Sequence, residues 1–312
     1  MKIVKYREEY KMEWDSFVSN SKNGHFFFQR NYMEYHADRF CDFSLLFFND
    51  KENLIAILPA NMEENIVYSH QGLTFGGFLV NEKMKAETML EIFETLKDYL
   101  RNEGIHKLVY KCIPYIYHRL PSEEDLYALF YNKARLVRRD VSSTILLEGK
   151  VKYQLQRQRA IKKAIKNGLE FGRSDDFESY WAILEEILQT QHDTMPVHSL
   201  DEIKRLAGLF PDNIKLFVAK KNGKVLGGTL IFENEDIVHT QYLANSSEGK
   251  KTGALDFVID SLISKVYKDK KYLDFGMSNE NKGKYLNLGL IAQKEGFGAG
   301  SVVYDFYELD IP

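Results

Sequence analysis

A stretch able to bind an anion runs from Ser246 to Gly253, reading Ser-Ser-Glu-Gly-Lys-Lys-Thr-Gly. It follows an alternating apolar run over residues 237–243 and precedes Leu255, Val258, Ile259 and Leu262, which share one face of a helix. A strand that passes through a Gly- and Lys-containing loop into a helix leaves backbone N–H groups unbonded at the helix start. Such groups hold phosphate or another anion. Gly249, Lys250, Lys251, Thr252 and Gly253 are the candidate contacts, with an ordinary capped helix as the alternative. Groups able to move protons cluster nearby in sequence. Tyr242 ends the preceding strand and can donate a proton. Asp274 alternates with Leu273 and Phe275 on the next strand, and a carboxylate inside a strand needs a partner, so it is either a hydrogen-bond hub or part of a site. Glu280 falls in the loop after that strand, where α/β sheets place ligand-facing groups; it is a proton acceptor or a solvated loop carboxylate. His192 and His198 flank Met195-Pro196 at a separation unsuited to a metal, and either contact substrate, serve as a base or have no role. In the first half, His70 stands beside a glycine-rich bend over residues 72–78 that can bring backbone close to a ligand. No Gly-x-Ser-x-Gly, Cys/His or zinc pattern points to a hydrolase or a metalloenzyme.

These residues need elements to position them. Ile214, Leu216 and Val218 alternate with Lys215, Phe217 and Ala219, and Asn222-Gly223 marks a tight hairpin into a second strand over residues 225–232. Strands are expected over residues 237–243, 272–276 and 301–309, with a helix over 285–295. The first half reads as strand, helices, strands, a long amphipathic helix over residues 84–103, strand, helix and strand. The second half opens with a change of charge. From residue 150 to 167 there are seven basic residues and no acidic ones, and Leu155, Ile161 and Ile165 are expected to anchor that helix to the core. Arg157 and Lys162 are its candidate ligand contacts, suited to a phosphate-bearing molecule; a solvated basic face offset by Asp175, Asp176 and Glu178 is the alternative. The order of elements in the second half echoes that of the first. The expectation is an α/β (α+β) protein of two units with similar architecture, each a mixed sheet flanked by helices, covering residues 1–149 and 150–312.

The 312 residues are 44% hydrophobic and 28% charged, enough for two ordinary domains with sizeable cores. No apolar run approaches a membrane span, and residues 1–7 are expected to form a short strand followed by charge and not a signal peptide. Cys41 and Cys112 lack metal spacing and are expected to be reduced and buried, in a cytoplasmic protein. A net charge of -3 gives no general support for nucleic-acid binding, and DNA is not an expected partner.

Several of these segments, taken in order, resemble a known family. Residues 154–169, QLQRQRAIKKAIKNGL, resemble the basic R-x-x-x-I-x-K-A-x-x-x-G-L helix of Fem-type peptidyltransferases. Gly223 to Thr229 resembles their G-x-x-x-G-G-T strand pair. Tyr272 to Gly276 resembles F-D-x-G, with Leu273 in place of the Phe, and Gln293 to Gly298 resembles F-K-x-G-F-G, with Gln293 in place of the Phe. The first half is similar in element order only, although residues 25–29 and 72–78 look like segments of GNAT proteins from bacterial surface-polysaccharide clusters.

The resemblance implies two tandem GNAT-like domains and transfer of an acyl group to an amine. That chemistry needs a neutral nucleophile, a stabilised oxyanion and a proton for the leaving group. Lys294 matches the lysine of the F-K-x-G-F-G motif, so its ammonium is a candidate to face the oxyanion, or else a solvated helix lysine. Glu280 would take the amine proton, directly or through water, and Tyr242 would protonate the leaving group. Acyl-CoA, acetyl-CoA foremost, is the favoured donor and aminoacyl-tRNA the alternative: against CoA stands the loop over residues 248–254, only a degenerate version of the R/Q-x-x-G-x-G/A pyrophosphate loop, and against tRNA stand the modest net charge of -3 and the absence of the inserted coiled-coil arm found in some Fem-type members. The acceptor class implied is a sugar or peptide on a cell-envelope precursor, small or nucleotide-linked, with no metal. A GNAT-fold binding protein without catalysis is the remaining alternative.

Overall fold

In the computed structural model, residues 1–312 are described except residues 150 and 193 and the side chains of residues 191 and 192. The chain forms two compact units, the first made of residues 1–140 with 303–312 and the second of residues 141–302. The sequence-based division after residue 149 thus lies inside the second unit, and the last strand returns to the first.

In the first unit, Lys2–Lys5, Leu45–Phe48, Leu54–Leu58 and Leu79–Val80 form one antiparallel sheet. A second set of strands has Lys107–Lys111 parallel to Ile66–Tyr68 and antiparallel to the C-terminal Gly300–Asp310. The expected long helix is Ala86–Asn102. Its Met89, Ile92, Phe93, Leu96 and Leu100 recur at helical spacing and pack with Phe43, Leu45, Phe47, Leu108, Tyr110 and Leu309 into one core. Each such side chain contributes about 1.5–3 kcal/mol by leaving water.

In the second unit the sheet order is Glu170–Arg173, Ile214–Lys221, Lys224–Glu233, Ile237–Asn245, Tyr272–Met277, then the end of Arg135–Leu146. The Asn222-Gly223 turn has both residues at positive φ, 50° and 78°, the geometry that lets a two-residue turn follow the twist of its strands. Ala254, Leu255, Val258 and Leu262 cover one face of the sheet through Leu226, Ile231, Val238, Leu273 and Phe275. Phe177–His192 packs on the strands Lys224–Glu233 and Ile237–Asn245 through residues such as Tyr180, which bonds the Tyr242 carbonyl.

Three local expectations change. The basic helix is Leu155–Lys166, and it buries Ile161 and Ala164, not Leu155 and Ile165, which are 66% and 60% exposed. Its inner face follows the 157, 161, 164 spacing, so the flanking apolar residues turn outward. The final helix is Leu288–Glu295, because Asn287 caps it by accepting the Leu290 N–H at 3.0 Å, while Tyr285–Leu286 pairs with Asn279–Glu280 as a small hairpin. Cys41 is exposed, whereas Cys112 is buried, and both are free thiols. No helix among the described residues is long and apolar enough to cross a membrane.

Candidate active site

The second unit contains a fork in its sheet. Ile237–Asn245 and Tyr272–Met277 run parallel, but their register holds only for Ile237, Val238 and His239 against Tyr272, Leu273 and Asp274. Both strands continue beyond that point without pairing. On its other edge, Ile237–Asn245 stays bonded to Lys224–Glu233, with a register shift that leaves Gln241 as an extra residue. A bulge of this kind bends a strand and increases its twist, so it turns the chain away from its parallel neighbour. Three side-chain atoms on the departing strand, Thr240 Oγ1, Gln241 Oε1 and Asn245 Oδ1, are buried with no hydrogen-bond partner among the described residues.

At the crotch of the fork lies a closed polar network. Asp274 is fully buried. Its Oδ1 accepts from Ser142 Oγ and, at 2.9 Å, from Thr144 Oγ1, while its Oδ2 lies 2.9 Å from His239 Nδ1. Asp274 is therefore a hydrogen-bond hub that is also linked to a histidine. Gly276, at φ 76°, bends the strand end. A Cβ built there would lie 3.0 Å from His239 Cε1, so any other residue would press on that ring. The bend turns carbonyls toward Lys294, whose Nζ donates to Gly276 O at 2.8 Å, Met277 O at 2.9 Å and Ser278 Oγ at 2.9 Å. Lys294 is 4% exposed, and burial lowers its pKa to about 8 despite the opposing pull of Asp274.

A cleft of about 690 Å³ opens at the fork. The strand residues Leu243, Asn245 and Phe275 line it, with Lys294 from the helix Leu288–Glu295 and Arg157, Lys250, Gly253 and Asp256 from the helices around it. Arg157 pairs with Asp256 at 2.8 Å and lies over the Phe297 ring, so its guanidinium is held in place. The expected anion loop is instead the short helix Ser247–Thr252, capped by Ser246 Oγ on the Gly249 N–H at 3.0 Å. The Lys250 and Gly253 N–H groups bond to Ser246 O and Gly249 O. Backbone N–H groups at residues 249, 250 and 253 are thus already satisfied, and this correction follows from the strong capping tendency of serine. Gly249 and Thr252 are buried, with Thr252 Oγ1 bonded to Glu248 O, and Lys251 is exposed outside the cleft. An acyl-CoA donor fits the cleft in part: the volume, the buried Asn245 Oδ1 and the cations of Arg157 and Lys250 suit an extended amide-bearing arm ending in phosphates, but side chains would replace the backbone cradle.

The other expected residues scatter. Glu280 is exposed, accepts from Asn287 Nδ2 at 2.9 Å, and does not line the cleft; the hairpin turns its side chain away. Tyr242 and His198 do meet, with His198 Nδ1 2.8 Å from the phenol oxygen, and burial raises the tyrosine pKa. Neither lines the cleft. The side chain of His192 lies outside the described residues. Lys162 is exposed on the outer face of its helix, away from the cleft. His70 belongs to the first unit, where it is buried, stacked on His36 at 5.0 Å, and pushed well below the ordinary histidine pKa by burial. Among the described residues no group of three or more His, Cys, Asp or Glu side chains is placed to hold a metal ion. Sequence reasoning missed His239 and Gln241. The signal for His239 was present only in the parallel register that sets it opposite Asp274.

Residues 151–284 match the family described as Acetyltransferase (GNAT) domain. A comparison with curated proteins by sequence finds no match. Among solved structures, the chain is similar to FemX, with TM-score 0.69 and 11% identity over 98% of this chain and 97% of that one. It is also similar to L-PGS from Bacillus licheniformis, with TM-score 0.64 and 11% identity over 96% and 91% of the two chains. A tandem GNAT protein from the clavulanic acid biosynthesis pathway aligns with TM-score 0.54 and 10% identity over 100% and 98%. The fold is a tandem GNAT fold of the Fem-like kind.

Proposed function

We propose that the chain is an N-acyltransferase that moves an acyl group from acyl-CoA, acetyl-CoA being the simplest, to the amine of a sugar or peptide on a cell-envelope precursor. The observation that carries this reading is the cleft at the fork, which the fixed guanidinium of Arg157 and the exposed Lys250 line together with the buried Lys294. A phosphate-bearing donor would meet Arg157 and Lys250, and its acyl end would reach the crotch. The GNAT fold and the family match support acyl transfer as the reaction class. Both units together resemble Fem-like structures along nearly their whole length, which supports an envelope acceptor. We assign the reaction to the cytoplasm, where such donors are made.

A second reading is favoured by one observation. Arg159, Lys162, Lys163 and Lys166 are exposed on the outer face of Leu155–Lys166, which suits the phosphates of an aminoacyl-tRNA. Thermal denaturation with acetyl-CoA, with aminoacyl-tRNA and with neither separates the two. Acetyl-CoA is expected to raise the melting temperature and to yield an acetylated amine by mass spectrometry, with both effects weakened in Arg157→Gln. Stabilisation by aminoacyl-tRNA alone would install the second reading. Binding without product from either donor would leave a binding protein of GNAT fold.

A further inference from the structure

We propose that the outer face of the helix Glu124–Tyr131 is where two copies of this chain meet, packed antiparallel about a two-fold axis; this stands apart from the acyl-transfer reading. The helix buries Ala128 and Leu129 in the core of the first unit, beside Ala86–Asn102. A helix at a surface ordinarily turns a polar face to water. Here the outward positions are Tyr127, Phe130 and Tyr131, at i, i+3 and i+4, and Phe130 is 78% exposed. Tyr127 and Tyr131 are more than half exposed, and their ring centroids lie 6.4 Å apart, so the three rings form one aromatic platform. A single exposed apolar residue needs no explanation, but a contiguous aromatic stripe marks a surface that something covers.

The charges around the platform identify the partner. Glu123 stands about one turn before Tyr127, Lys133 follows just after Tyr131, and both are exposed. The pair Glu123 and Lys133 and the pair Tyr127 and Phe130 share one centre, close to residue 128. Two copies of the helix laid antiparallel about that centre bring Glu123 of one to the partner's Lys133 and Tyr127 to the partner's Phe130, and symmetry repeats each contact. The same arrangement sets the two helix dipoles against each other favourably. On the strand that follows, Arg135 and Arg139 are already paired with Glu308 and Asp305. The face therefore carries both signs in balance. An anionic lipid surface would select cations, whereas a second copy of this chain is matched by the face as it stands.

Size sets the strength of the contact. At about 150–250 Å² for a whole aromatic side chain, the three rings expose roughly 300–500 Å² per copy. The rings of two copies would then bury about 600–1,000 Å², against roughly 1,200–2,000 Å² in a stable complex. The association is reversible and set by concentration.

The test is sedimentation equilibrium of the full chain from micromolar to near-millimolar concentration. The weight-average mass is expected to climb from 36.4 kDa toward twice that value. Phe130→Ser should weaken the association about tenfold or more. Glu123→Lys and Lys133→Glu, each alone, set like charges together at both symmetric contacts and should weaken it several-fold. Mixed in equal amounts, these two variants regain opposite charges at both contacts and should associate about as tightly as the wild type, which also shows that each is folded. Failure of the mixture to recover would overturn the antiparallel pairing. A mass fixed at 36.4 kDa at every concentration would overturn the proposal. Flotation of that monomer with phosphatidylglycerol vesicles, lost in Phe130→Ser, would give the platform to lipid instead.

Discussion

An ammonium group has three hydrogens to donate, and at Lys294 the fold takes all three, through Gly276 O, Met277 O and Ser278 Oγ. A donor so engaged holds the bend at the fork rather than turning toward an oxyanion, and its contribution to chemistry is the field of a charge fixed near the cleft. That charge is held against burial. The folded-state pKa lies at about 8, below the ordinary 10.5. Between those values the unfolded chain binds more protons than the folded one, so this group makes stability rise with pH across that window, and its penalty is fully present below it. Subtracting the denaturation curve of Lys294→Met from that of the wild type isolates the effect. The difference should move in favour of the wild type as pH climbs from 8 toward 10; a flat difference would mean the lysine is not held charged against desolvation. The first unit has a similar device in Lys111, whose Nζ donates to His70 O, Gln71 O and Leu73 O and whose pKa is lowered to about 7 by burial. Residue types made Lys294 and Asp274 legible, the first through a motif and the second through a charge on a strand. His239 was hidden because a histidine among Val238 and Thr240 acquires meaning only from the strand beside it.

Elements decide where the fork opens. Gly276 has to be glycine twice over, for its φ of 76° and for the space its missing Cβ leaves to His239. Gly276→Ala should cost about 1–2 kcal/mol from the left-handed backbone alone. The added methyl would also press on the His239 ring, so the loss in urea denaturation should exceed that backbone cost. A loss smaller than about 1 kcal/mol would mean that the bend and the ring relax together. The segment after the fork makes a second case. Ser246 Oγ caps Ser247–Thr252 and also donates to Leu226 O at 2.7 Å, tying the helix start to the neighbouring strand. Ser246→Ala should destabilise by about 0.5–2 kcal/mol in thermal or urea denaturation. A neutral result would show that the cap is replaced by solvent. The serine, glycine and lysines of this stretch read equally well as an open anion loop or a capped helix in sequence, because the same residue types serve both. What separates them is the contact with the Leu226 carbonyl, which no local pattern encodes.

At the scale of the whole chain, the last ten residues belong with the first 140. Gly300–Asp310 pairs with Lys107–Lys111, from Phe306 opposite Lys111 to Asp310 opposite Lys107. Asp305 takes both Arg139 donors at 2.6 and 2.7 Å, and Leu309 and Ile311 enter the core of the first unit. The order of strands and helices was visible along the sequence because each has its own apolar period. The return of the C-terminal strand was not, since its partners lie about two hundred positions away and share no pattern with it. The two tryptophans make the consequence measurable, for Trp14 is buried in the first unit and Trp181 in the second. In a chain ending at residue 302, the first unit loses a paired strand and two core side chains, while the second keeps its full sheet. Urea denaturation followed by Trp14 fluorescence in a Trp181→Phe background should then show a clearly lower midpoint. The same titration followed by Trp181 in a Trp14→Phe background should stay near its original midpoint, and acetyl-CoA should still shift it. Midpoints that fall together would mean that the two units unfold as one cooperative body, and that the strand's stabilisation is shared by the whole chain.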